Sequence, residues 1–145
     1  MAQKSFYETG AREAFDLFRD YLEGESERPV LVVGSALAQE ETRDAIEKSM
    51  AALGLGDEAC TYAVLADCID RDALFLLVEG IDPLYVVCTD AAAARRLSET
   101  YRTEYPLDAA PRVFGRPAAV FTDLEALIAT EPGKRRAWEL FKTLV

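Results

Sequence analysis

Apolar residues recur in two rhythms along this chain. Ala14, Phe15, Leu17, Phe18, Tyr21 and Leu22 fall at helical spacing and predict a helix from near Ser5 to Glu23 with one apolar face. Gly24-Glu25-Ser26-Glu27-Arg28-Pro29 breaks it. Val30-Leu31-Val32-Val33 is then an unbroken apolar run ending at Gly34, the pattern of a strand buried on both faces of a parallel sheet. The alternation continues with a helix over 39–53, closed by Gly54 and Gly56 as C-cap signals, and a strand from Cys60 to Ala66. A third helix opens at Asp70 or Arg71 and runs through Val78, where Gly80 and Pro83 stop it. Leu84 to Cys88 is the third strand. Ala91 to about Tyr105 is helical, helped by four consecutive alanines. After the loop Pro106–Pro111 come an extended piece at Arg112–Phe114 and a strand at Ala118–Phe121. Helices over 123–130 and 133–144, separated by Pro132, close the chain.

Strands alternating with helices imply crossover connections and a sheet covered on both sides. The expected fold is α/β: a three-layer α/β/α sandwich with a central parallel four-stranded sheet. Residues 1–145 read as a single domain, with 1–28 an N-terminal helix and linker packed on it. Neither an internal repeat nor a low-complexity tract interrupts the pattern.

At 145 residues and half apolar, the chain suits one core. Cys60, Cys68 and Cys88 form no CxxC pair. Cys60 and Cys88 sit in apolar runs, so buried free thiols are expected, which fits a reducing cytoplasm. The residues after Met1 are mixed and polar, so export is not expected. The strongest apolar stretch, Ala73–Val78, is far shorter than the roughly 20 residues a bilayer needs. The net charge is −10 and histidine is absent, which removes the usual acid–base and metal-binding side chain near neutrality. Residues 1–88 hold 7 Lys/Arg against 18 Asp/Glu, whereas 89–145 hold 9 against 8. Nucleic acid would meet repulsion over most of the chain, and the acidic surface reads as solubility.

In open parallel α/β sheets ligands bind at the carboxyl ends of the strands. Four segments occupy that edge: Gly34–Thr42, Asp67–Asp72, Thr89–Ala92 and Thr122–Leu124. The first leads from Gly34 and Ser35 to a helix start but matches no dinucleotide or P-loop pattern and has no lysine. Glu40 and Glu41 already complement the helix dipole there. Asp67, Asp90 and Asp123 lead the other three segments. Converging carboxylates would hold Mg²⁺, whereas the alternative is that each caps the next helix. A Ser–His or Cys–His pair is impossible without histidine. Lys134-Arg135-Arg136 is a basic run that reads as a solvated face open to an acidic partner.

The order of these motifs over residues 30–145 resembles the uracil-DNA glycosylase superfamily, especially its compact iron–sulfur branch. In that family an apolar strand runs into a Gly-Glu-Ala-Pro-Gly turn and an acidic helix start. Here Val30–Val33 leads into Gly34-Ser35-Ala36-Leu37-Ala38-Gln39-Glu40-Glu41. Leu53-Gly54-Leu55, the strand ending in Asp67-Cys68-Ile69, and Leu84–Cys88 with Ala91–Leu97 follow in the family's order. The tail is similar in spacing to the family's last motif: Phe121-Thr122-Asp123-Leu124-Glu125, Pro132, Lys134-Arg135 and Trp138.

The departures fall on the chemistry that the resemblance implies. Gly34, Ser35, Ala36 and Asp123 hold degenerate site positions. Ser35 stands where the family places an acid near the reacting water, and Asp123 stands where its histidine stabilises charge on uracil. The chain contains no asparagine to read the base. Cys68 alone matches one of four cluster cysteines, and one thiolate does not hold an iron–sulfur cluster. A carboxylate at Asp123 would oppose an anionic leaving group. The expectation is therefore a non-catalytic, cofactor-free, glycosylase-like domain in the cytoplasm. It would act as a binding or regulatory module with a protein partner or as a homo-oligomer, without nucleic acid or membrane. Three alternatives stand beside it: a metal-dependent enzyme using Asp67, Asp90 and Asp123 on a small phosphorylated substrate, a divergent DNA glycosylase, and a generic nucleotide-binding domain.

Overall fold

The structure, a computed structural model, describes residues 6–145, with side chains described from residue 10 onward. Its elements are α1 (Phe6–Leu17), a 3₁₀ turn (Arg19–Tyr21), β1 (Leu22–Glu23), β2 (Val30–Gly34), α2 (Glu40–Ala52), β3 (Cys60–Val64) and α3 (Arg71–Ile81). There follow β4 (Tyr85–Cys88), α4 (Ala91–Tyr101), β5 (Arg112–Val113), β6 (Arg116–Val120), α5 (Leu124–Leu127) and α6 (Glu131–Lys142). The expected start of the first helix at Ser5 lies outside the described residues.

The sheet runs β1-β3-β2-β4-β6-β5. Its four inner strands are parallel, with Val30 beside both Cys60 and Tyr85 and Val86 beside Ala118. The outer two are antiparallel: β1 lies on β3 and β5 on β6. This corrects the expected four-stranded parallel sheet to a six-stranded mixed one. Both added strands are only two residues long, and short edge strands of this kind blunt a sheet against pairing with another chain.

The alternation of side chains across the sheet builds two cores. On one face Leu31, Val33, Val86, Cys88 and Val120 pack with Phe18, Leu77, Val78 and Leu97 from the region of α1, α3 and α4. On the other, Val30, Val32, Val87 and Phe121 pack with Ile46 and Met50 of α2 and Leu140 and Phe141 of α6. All five residues of β2 are buried, as a central strand between two helical layers requires. The three-layer arrangement follows.

Several element boundaries differ from the periodic reading; Pro132, expected to separate the last two helices, lies inside the first turn of α6, where a missing N–H costs nothing. The first helix ends at Leu17 rather than Glu23, because Leu22 and Glu23 pair with Ala63 and Tyr62 in the sheet. Sheet hydrogen bonds there outweigh a helical pattern that continues to Leu22. The third helix passes through Gly80 to Ile81, and the fourth stops at Tyr101, where Arg102 turns left-handed at φ 53°. Among the described residues no helix is long and apolar enough to cross a membrane.

Candidate functional site

The chain leaves β2 toward β3 on one side and leaves β4 toward β6 on the other. The carboxyl ends of β2 and β4 therefore form the switch point at which open α/β sheets hold ligands. Gly34 ends β2 there, and Thr89-Asp90 follows β4. A Cβ on Gly34 would lie 2.5 Å from Thr89 Oγ1 and 2.9 Å from the Ala36 carbonyl oxygen, so only glycine lets the two turns approach this closely.

Asp90 bridges the gap. One carboxylate oxygen accepts the Ala93 N–H at 2.8 Å and caps α4. The other accepts both the Ser35 N–H at 2.8 Å and the Ser35 hydroxyl at 3.0 Å. At the N-cap of α2, Gln39 donates its N–H to Glu125 Oε1 at 2.8 Å, while no side chain caps the first turn of the helix. Beneath this turn, the crevice between Val32, Gly34, Ala38, Tyr62 and Thr89 has no room for a water molecule. A phosphate cradle would need those same donors free and pointing into space.

The third strand end repeats the arrangement. Asp123 caps α5 through the Ala126 N–H at 3.1 Å. Thr122 gives its N–H and its hydroxyl to Asp108 at 3.0 and 2.8 Å, and Arg136 donates to the Asp108 carbonyl at 3.2 Å. An open hollow of about 470 Å³ lies against these groups. A groove of about 690 Å³ beside α2 mixes Glu41, Asp44 and Glu125 with Lys48 and Lys134, so its lining is mixed in sign with one acid in excess.

Of the sequence-derived candidates, Gly34, Ser35 and Asp90 meet at one place, with Ala36 on the same turn. Asp123 touches Asp90 only through the backbone bridge between their strand ends. Asp67 is exposed, and the cap of α3 is Asp70, which accepts the Ala73 N–H at 2.8 Å. Among the described residues no group of three or more acids or cysteines is placed to hold a metal ion. The three strand-leading acids thus do not assemble the Mg²⁺ site that their spacing allowed. Asp108 and Glu125 were missed by sequence reasoning. Their partners stand 14 and 86 residues away, and no local pattern marks either.

The thiols supply no nucleophile at this edge. Cys60 and Cys88 are buried and Cys68 is exposed. Burial pushes the Cys88 thiol up to about 12 and raises Cys60 further, with Glu47 adding to the effect on Cys60. Both remain protonated near neutrality, so neither is a ready thiolate. Cys68 lies 2.9 Å from the Tyr21 hydroxyl, and that contact is the chief reason Tyr21 ionises at higher pH than an ordinary tyrosine.

These observations define a mixed-sheet α/β protein in which the turn after its central strand is bonded to the Asp90 carboxylate. No protein-family model matches the chain, and no curated protein matches it in sequence.

Proposed function

We propose that this chain is a non-catalytic binding or regulatory module of the reducing cytoplasm, acting through protein contacts rather than on a small substrate or a nucleic acid. The observation that carries the reading is the Asp90 carboxylate. It occupies the backbone donor and hydroxyl of Ser35 at the switch point, the place where open α/β sheets hold ligands. A glycosylase-like origin rests on motif order alone, and the six-stranded sheet does not add to it. The acid-lined strand ends and a net charge of −10 further oppose gripping a phosphate backbone. The metal-enzyme alternative loses its motive, because Asp90 and Asp123 spend oxygens on helix caps.

The test is a uracil-excision assay on single-stranded DNA with untagged protein. No excision is expected. Excision by the wild type that disappears in Asp123→Ala would overturn the reading.

A further inference from the structure

Two of the exposed apolar side chains, Phe75 and Phe114, lie together away from the strand-end crevice. Phe75 of α3, Tyr101 of α4 and Phe114 of the β5–β6 turn form a ring cluster. Their centroids are 5.8 Å apart for Phe75–Tyr101, 5.4 Å for Tyr101–Phe114 and 6.4 Å for Phe75–Phe114. Despite these contacts Phe75 is 45% exposed and Phe114 64%. Phe114 also has φ 50° and is followed by Gly115 at φ 87°, so the turn needs two left-handed residues. Asn, Asp or Gly normally fills the first of these positions, because a bulky side chain is strained there. The chain instead holds an aromatic ring out at that point.

The polar groups beneath the rings are satisfied from within. Tyr101 donates to Glu79 at 2.6 Å, and Arg116 binds Glu79 at 2.8 Å and Asp82 at 2.7 Å. The three stretches that carry the rings, 71–82, 101–104 and 112–116, hold Arg71, Arg102, Arg112 and Arg116 against Asp72, Glu79, Asp82 and Glu104. Their charge balances at zero in a chain of net −10.

We infer that this ring cluster is a self-association face at which two copies meet about a twofold axis. The inference rests on the binding-module reading and supplies its partner. A twofold interface must be complementary to itself, so each cation must be able to face a carboxylate of the other copy. Arg102 and Glu104, both exposed next to Tyr101, provide this, whereas Arg116, Glu79 and Asp82 are already paired within the fold. The acid-rich stretches before residue 70 repel their own copies. Pairing through the sheet edges is disfavoured, since both outer strands are two residues long.

The test is sedimentation velocity on the full chain from about 1 to about 300 μM, a span covering micromolar self-affinity. Dimers are expected for the wild type, with dissociation at least about tenfold easier in Phe114→Asn and in Phe75→Ser. Melting temperature is read in parallel. Phe114→Asn should not lower it, because asparagine accepts the left-handed backbone, so any lost dimer reports the interface rather than the fold. A wild type that stays monomeric throughout overturns the inference, and so does a dimer that both variants leave unchanged. Either failure leaves the crevice argument intact, whereas uracil excision overturns that argument whatever the oligomeric state.

Discussion

Removing the Asp90 side chain would free the Ala93 N–H, the Ser35 N–H and the Ser35 hydroxyl, and would leave the Thr89 hydroxyl only the Val33 carbonyl. A lost helix cap costs about 1 kcal/mol. The freed Ser35 groups add to that, although their exposure lets water repair part of the loss. Asp90→Ala should therefore cost about 2 kcal/mol, and Asp123→Ala, which loses a cap alone, about 1 kcal/mol. Urea unfolding of both variants compares them, and equal losses would mean the Ser35 contact contributes nothing. At the same scale, Cys88 links stability to pH. Its thiol is raised from an ordinary 9.0 to about 12 in the folded chain, chiefly by burial. Above pH 9.0 the unfolded thiol loses its proton while the folded one keeps it. The contribution of Cys88 is intact below that pH and is lost between there and about 12, by up to about 1.4 kcal/mol per pH unit. Cys88→Ala should flatten the alkaline fall in urea-unfolding free energy; an unchanged slope would place the effect elsewhere.

Among the elements, α3 illustrates how tertiary packing overrides a local signal. Gly80 was expected to end the helix, yet it lies within it, and a Cβ there would sit 2.5 Å from the Ala14 Cβ of α1. The glycine is a notch that lets two helices approach. In an open helix Gly→Ala gains about 1 kcal/mol, but overpacking costs about 1–3 kcal/mol. Because Ala14 is buried and its methyl carbon cannot swing aside, packing should win. Gly80→Ala is expected to lower the midpoint of thermal unfolding, and a rise would show that the helices separate freely. The inner strands and α2 were legible because each is a long apolar or periodic run. The outer strands were not, since Leu22-Glu23 reads as a helix end and becomes a strand only through β3.

For the molecule as a whole, net charge and strand order act together. The order of the sheet brings Gly34 and Asp90 side by side, and the Asp90 carboxylate fills the space between their turns. The three-layer α/β scaffold was readable from alternation alone, as was the acidic rim at the strand ends. Gly34, Ser35 and Asp90 were correctly sent to that rim, but their mutual bonding was not legible. Local sequence determined the rhythm of helices and strands, the burial of Cys60 and Cys88 and the absence of any histidine chemistry, because periodicity and composition act over a few residues. Only the tertiary structure decided that Asp90 closes the turn after β2. The bonds at this rim join groups 55 and 86 residues apart, and a backbone N–H carries no sequence mark of the carboxylate it will meet.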